Sequence, residues 1–496
     1  LAMIPEQSNY QLVPGSHFKK FININLLKVD FLSSRLSVIS MKNLRISILF
    51  LFSLIFLISC SEEDNYTYED PYTGEEGPEV DPVSDEELLD IVQTATFKYF
   101  WDFAEPNSQM ARERYHPNEG TDPTVTTGGS GFGLMAMIVG VERGIVSRAE
   151  ALERLDNIAD FLANTDRFHG AWSHWINGET GNTQPFSQMD DGGDLVETSF
   201  LAQGMIVVRE YLKNGTPEEQ AIAQKYDELW KGIDWEWYTN GEDVLYWQWS
   251  PNYQFQMNMP LEGYNECLIT YVMAASSPDH AIDAEAYHQG WARNGNITAS
   301  NSTYGLPLVL SHNGHQQYGG PLFWAHYSYL GLDPRNLSDQ YANYWQLNQN
   351  HSLINYNYCV DNPYNYAGYG EDFWGLTASY TRNEDGTIGY TAHSPTNDRG
   401  IISPTAAVSS IPYTPEESLA FMHNLYENHH SLSWGPAGFY DAVSLIGNDW
   451  AAERYLAIDQ GPMIVMIENY RTGLIWDLFM QAPEIQNGLD NLGFTY

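Results

Sequence analysis

Gln188-Met-Asp-Asp-Gly-Gly-Asp-Leu-Val-Glu-Thr198 runs without a break into an apolar-periodic stretch that continues to Lys213 and stops at Gly215. Asp194 stands where a helix N-cap belongs, Glu197 three residues later, and Gly215 where a helix ends. The pattern predicts a helix over 194–213, entered directly from an acidic, glycine-rich loop. Acids favour a first helical turn because its N–H groups lack partners, which accounts for Asp194 and Glu197 without any function. It accounts less well for Asp190, Asp191 and the two glycines before them. Four carboxylates in eight residues repel one another, which raises the pKa of some of them, and such clusters are where acid–base chemistry is found. The spacing does not match an EF-hand calcium loop.

Similar helix starts recur along the chain. Ser84-Asp-Glu-Glu87 and Ser147-Arg-Ala-Glu150 are capping boxes, and Thr216-Pro-Glu-Glu219 and Thr414-Pro-Glu-Glu417 place Pro at the first helical position. Further helical stretches fit 131–143, 264–276, 321–330, 339–355, 451–457 and 462–480. Long segments rich in Gly, Asn, Tyr and Trp separate them (169–188, 235–260, 358–379 and 386–412). Few stretches alternate like half-buried strands. Helix pairs with long loops suggest an all-α (α/α)6 toroid whose loops at one end build a cleft. An α-solenoid is the rival, but no fixed-period repeat is found.

The chain carries 64 Asp+Glu against 23 Lys+Arg, a formal charge of −41. That excludes the basic footprint a nucleic-acid binder needs and disfavours anionic lipid surfaces. With 43% hydrophobic residues the chain is not disordered, and its 15 Trp and 33 Tyr suit a large core or a sugar-stacking surface. The three cysteines, Cys60, Cys267 and Cys359, exclude a disulfide framework.

The N-terminal region reads as an address. Met41-Lys-Asn-Leu-Arg45 is a basic start, 46–58 is apolar except for Ser47 and Ser53, and Leu57-Ile58-Ser59-Cys60 closes it like a lipobox. An ordinary secretory signal with an accidental Cys is the other reading. The expected organisation is an upstream mis-start over 1–40, a lipoprotein signal over 41–60, an acidic tether over 61–83 and one large domain over 84–496. Acidic residues just after Cys60 resemble the surface-export signal of Bacteroidetes lipoproteins. This gives an exported lipoprotein, held to the membrane only through its lipid and placed on the outer membrane, surface-exposed or periplasmic.

Other clusters have a structural and a chemical reading side by side. Glu262 and Glu266 in Leu261-Glu-Gly-Tyr-Asn-Glu266 are four apart, so on a helix they share one face, and either dipole compensation or a site explains them. Asp459, before Gly461-Pro462 and an apolar run, is a cap or a site group. Trp172, Trp175, Trp247, Trp249 and Trp374, with Glu371, fall in predicted loops. Singly each Trp is a core residue; together in loops they favour sugar stacking. Arg399 bridges hydroxyls or forms a surface salt bridge. His312-x-x-His315 lacks a third ligand, so metal catalysis is weakly supported. Gly131-Phe-Gly133-Leu-Met-Ala136 fits a dinucleotide pattern by chance, and there is no nucleophile elbow.

Four segments, 190–204, 261–278, 370–379 and 457–476, resemble the glucoamylase-like family of bacterial proteins, which includes endo-β-1,2-glucanases and sophorose-releasing relatives. The resemblance covers about 84–490. It implies an (α/α)6 barrel, an inverting glycosidase with neither metal nor organic cofactor, and a cleft for neutral β-1,2-linked glucan. It also implies Glu266 as general acid, Asp459 as general base, and Asp190, Asp194 and Glu197 lining the site. Cys267 departs from the family pattern, which has a small residue such as Ala there. Inversion asks that Glu266 keep its proton, helped by Glu262, and that Asp459 be held ionised by donors. A non-catalytic surface glycan-binding lipoprotein, a hydrolase of another glucan linkage and a polysaccharide lyase are the alternatives. The deficit of basic residues argues against the lyase.

Overall fold

Several helices here start at a residue whose side chain meets an unpaired N–H group. The computed structural model describes residues 82–120 and 122–496, within a unit spanning Gly77–Tyr496. The predicted signal, lipobox and almost all of the tether lie outside the described residues. Helix α1 (Asp85–Trp101) is capped by Ser84, and α2 spans Thr127–Glu142. Full capping boxes close α3 (Arg148–Ala163), through Ser147 and Glu150, and α5 (Pro217–Lys231), through Thr216 and Glu219. Between them α4 (Leu195–Leu212) takes its cap from Asp194, whose carboxylate accepts the Glu197 N–H over 2.9 Å. Then follow α6 (Leu268–Ser276), α7 (Tyr344–Asp361), the short α8 (Pro404–Val408), α9 (Pro415–His423), α10 (Ala457–Arg471), α11 (Leu474–Met480) and α12 (Pro483–Leu492).

The helices fall into two kinds. In α3 and α5 one face is buried and the other wet, the pattern of a surface helix. In α4 and α6 nearly every residue is buried, and in α2 all of 127–140 is, the pattern of helices surrounded by others. The buried helices pack on one another, α10 on α2, α2 on α4 and α4 on α6, while α1, α5 and α12 cover α10, α4 and α6. Glycine permits the tightest contact: a Cβ on Gly204 of α4 would lie 2.2 Å from the Gly131 carbonyl oxygen of α2, so only Gly lets the backbones approach this closely. The Gly131-Phe-Gly133 run thus serves helix packing. A three-residue strand, Thr124–Thr126, does precede α2, but it pairs antiparallel with Trp175–Asn177.

The starts of five helices lie side by side. The Gly128 N–H of α2 donates to Glu197 Oε2 of α4 over 2.8 Å, and a Cβ on Gly129 would meet Ala457 of α10 at 2.5 Å. Ser199 of α4 and Thr270 of α6 share a hydroxyl hydrogen bond of 2.9 Å, and the Thr405 hydroxyl of α8 donates to the Asp459 carbonyl of α10 over 2.8 Å. The long loops form small antiparallel ladders beside these starts, one of which sets Gly193 opposite Trp249 and Asp194 opposite Gln248.

Four expectations are corrected. Residues 264–267 are not helical: Gly263 has φ +78°, its N–H donates to the Trp291 carbonyl over 2.8 Å, and α6 begins only at Leu268. The 321–330 stretch forms two 3₁₀ turns, because the carbonyls of Ala325, Tyr327 and Tyr329 accept from the side chains of Tyr413, Gln203 and Trp476. Residues 450–456 contribute short strands rather than a helix. Finally, α10 carries through Pro462 without restarting.

Candidate active site

Asp194 is the best-held carboxylate of the site. One oxygen caps α4; the other meets His174 Nδ1 at 2.8 Å and accepts the Trp247 indole N–H at 3.1 Å. Its backbone N–H donates to the Trp172 carbonyl over 2.8 Å. Glu197, one turn on, accepts from the Gly128 N–H and, at 3.3 Å, from the Thr126 hydroxyl. Burial pushes the Glu197 carboxyl above the usual range. Asp190 is buried, and burial together with the charge of Asp194 pushes it up to about 7. Asp191 instead faces outward and is taken up by Ser250 and Asn252, at 2.5 and 2.6 Å.

His174 sits among these acids. Burial alone would lower its pKa, but Glu197, Asp194 and Asp190 outweigh that and push it up to about 9. His174, Asp190 and Asp194 offer ligand atoms within 4.8 Å of one another, a set a metal ion could use. A metal-bound imidazole must be neutral, so an ion there would have to displace the proton that these carboxylates favour on His174.

Two further acids arrive from distant sequence. Glu266 lies in the turn just before α6, its carbonyl accepting from Ser328 over 2.5 Å, and Asp459 lies in the first turn of α10. Tyr327 connects them: burial first, then Asp459, Tyr390, Glu266 and Glu197, pushes its hydroxyl well above the usual tyrosine range. The charges of Glu197, Glu266 and Asp459, carried at three different helix starts, thus all reach one phenol. Positive helix ends offset part of their mutual repulsion.

Asp459 differs from the expectation of a carboxylate held ionised by donors. Burial, and the neighbouring carboxyl of Asp441, push it well above the usual range. The expected support of Glu266 by Glu262 is also corrected. Glu262 is partly exposed, turns toward Arg293 Nε at 3.6 Å, and shares no helix face with Glu266, because 262–267 is not helical.

The loop aromatics separate into two groups. Trp175, Trp247 and Trp249 are half-buried beside the acidic segment, with Trp249 edge-on to His169 at 4.7 Å. Trp172 and Trp374 are corrected from sugar-stacking residues to core. Trp172 is fully buried and its indole N–H donates to Thr165 Oγ1 over 2.9 Å, with the Arg167 guanidinium 4.0 Å over the ring. Trp374 is packed in a second core cluster with Leu88 and Met422. Glu371 is exposed near Tyr356, which stacks edge-on with Trp374, so it goes with that second cluster. Arg399 is exposed, next to Asp398, whose carboxylate accepts from Tyr358 and Tyr369. His174, Tyr327 and Asp441 were not singled out by the sequence. His174 had a signal, lying between Trp172 and Trp175, whereas Tyr327 is one of several aromatics in the 321–330 stretch and Asp441 is a lone acid.

The family described as "Putative glucoamylase" matches residues 258–483. An endo-β-1,2-glucanase from Chitinophaga pinensis, solved as a sophorotriose and glucose complex, is 55% identical over 84% of this chain and 99% of that one, with a TM-score of 0.81. The chain belongs to the glucoamylase-like family. The exo-β-1,2-glucooligosaccharide sophorohydrolase (non-reducing end) of Parabacteroides distasonis is 44% identical over 433 residues, which are 83% of this chain and 58% of that protein, less than two thirds of the relative's length. A β-1,2-glucanase structure from the same organism is 43% identical over 83% of this chain and 60% of that chain, with a TM-score of 0.78. This glucoamylase-like chain is helix-rich, as those structures are, and Glu266 and Asp459 both fall inside the matched family region.

Proposed function

We propose that this glucoamylase-like protein is an inverting glycoside hydrolase acting on β-1,2-glucan or its oligosaccharides. The side-by-side packing of the helix starts that carry Glu197, Glu266 and Asp459 carries this reading. Glu266 protonates the departing glycosidic oxygen, and Asp459 takes a proton from the water that attacks C1 on the opposite face. Inversion asks for about 6.5–9.5 Å between two such carboxyls, room for that water. Asp190, Asp194 and Glu197, with the His174 imidazolium, form the opposing wall and orient neutral hydroxyls. Trp175, Trp247 and Trp249 offer ring faces to the sugar. The chain's similarity to the β-1,2-glucanases named above supports the linkage.

The packing order α10–α2–α4–α6, with α8 against α10, supports an (α/α)6 toroid with the site at the inner helices' N-terminal end. The Leu57–Cys60 lipobox supports an exported lipoprotein anchored at Cys60 and exposed on the outer membrane. The test is a product profile on β-1,2-, β-1,3-, β-1,4- and α-1,4-glucans. Reducing ends are expected from β-1,2-glucan, with sophorose and longer products separating exo from endo cleavage. Glycan binding without release from any of the four would favour a non-catalytic binding protein.

A further inference from the structure

The loop that carries Asp441 and the first turn of α10 are pinned to one short element. The Ser403 hydroxyl donates to the Asp441 carbonyl over 2.9 Å, and the Thr405 hydroxyl, two residues on, donates to the Asp459 carbonyl over 2.8 Å. Asp441 Oδ2 accepts the Tyr380 backbone N–H over 2.7 Å, and its N–H donates to the Arg454 carbonyl over 3.0 Å. The side chain is therefore fixed from two directions. Among the described residues no N–H or hydroxyl meets Asp441 Oδ1 or either Asp459 carboxyl oxygen, although both side chains are buried, and the two carboxyls face each other. Two buried carboxyls that face each other avoid a doubly charged state by keeping one proton between them.

We propose that Asp441 is a positioning residue for hydrolysis: it shares one proton with Asp459 and so sets how strongly Asp459 takes a proton from the attacking water. This rests on the reading of Asp459 as base. Asp441 is the ionised member, because it holds the Tyr380 N–H and is reached by Arg114; Asp459 holds the proton in the resting state. Burial raises Asp441 to about 6, and burial with the charge of Asp441 raises Asp459 well above the usual carboxyl range. Tyr327 and Tyr390 also face Asp459, while Glu113, Arg114 and Tyr380 face Asp441. Once the pair loses its proton, the second negative charge makes Asp459 a stronger base than an isolated aspartate. In the chemical step the water O–C1 bond forms and the C1–glycosidic oxygen bond breaks. The water's proton goes to Asp459, the Glu266 proton goes to the leaving oxygen, and both protons later return through solvent exchange.

The test compares the wild-type chain with Asp441→Asn and Asp441→Glu by the pH dependence of kcat/KM on β-1,2-gluco-oligosaccharides. In Asp441→Asn the acidic limb should move down by about one pH unit or more, with kcat at neutral pH lower by about tenfold or more, because a base of lower pKa is a weaker base. Asp441→Glu should restore the limb toward the wild-type position. An unmoved limb with a uniformly scaled rate overturns the proposal. Infrared difference spectra of the folded chain give a second readout that needs no activity. Glu266, as the general acid, and Asp190 also contribute protonated carboxyl at pH 7, so a protonated-carboxyl band that loses one component in Asp459→Asn is expected, and a band unaffected by that substitution overturns the shared proton. Absence of β-1,2-glucan hydrolysis by the wild type would instead remove the functional reading and leave the infrared result standing.

Discussion

His174 Nδ1 lies 2.8 Å from Asp194 Oδ2, and the same carboxylate caps α4 through the Glu197 N–H at 2.9 Å. One side chain therefore starts a helix and holds a cation inside an otherwise negative pocket. Asp194→Asn keeps a cap-competent oxygen but removes the charge. The His174 titration, read by NMR, should fall from about 9 toward the ordinary histidine range, with a large loss of kcat. A His174 midpoint unchanged in the variant would contradict this electrostatic arrangement.

Gly128 has no room for a side chain. A Cβ there would lie 2.6 Å from Glu197 Oε2 and 2.9 Å from Phe200. Gly128→Ala should displace the carboxylate while leaving the body of α2 intact, lowering kcat by about tenfold or more, since small misplacements of catalytic groups are costly. Circular dichroism would show retained helix; wild-type turnover would show that Glu197 does not need its position.

Trp172 and Trp175 are three residues apart yet should fail differently. Trp172→Phe should destabilise the fold by roughly 1–3 kcal/mol, through a lost buried hydrogen bond and a cavity, with KM nearly unchanged. Trp175→Ala should raise KM with a smaller change in stability. Thermal melts and Michaelis kinetics read the two effects, and the reverse pattern would return Trp172 to the cleft.

The stability of this site should depend on pH through Asp190. Its folded pKa of about 7 is raised from 3.8, so the folded state binds this proton more tightly than the unfolded state does. The resulting stabilisation is present below the unfolded value and is lost as pH rises through about 7. Asp190→Asn should therefore match the wild type near pH 4 and melt higher above pH 7, by roughly 1–3 kcal/mol in stability, while losing activity. A variant less stable than the wild type at pH 8 would show that Asp190 is held by compensating contacts.

Local signals made the helix starts legible. Ser147, Thr216 and Asp194 cap helices as their side chains require, and the apolar run after Asp194 is a buried helix as its composition demands. The 264–267 and 321–330 segments were not legible, because a positive φ at Gly263 and side-chain donors from Tyr413, Gln203 and Trp476 override local propensity there. For the site, clustering exposed Asp190, Asp194 and Glu197, and family resemblance supplied Glu266 and Asp459. Asp441 was invisible: a lone acid after Tyr440 gains its meaning only from a partner 18 residues away that the fold brings beside it. Trp172 and Trp374 were misread because a tryptophan in a predicted loop looks the same whether its ring faces sugar or core.

Proton NMR of the first product released from β-1,2-gluco-oligosaccharides, recorded before mutarotation, tests the account most directly. Glu266 as acid and Asp459 as base predict that the α-anomer forms first from the β-linked substrate, and that Glu266→Gln and Asp459→Asn each nearly abolish its appearance. First formation of the β-anomer, or near-normal product from either variant, would contradict it.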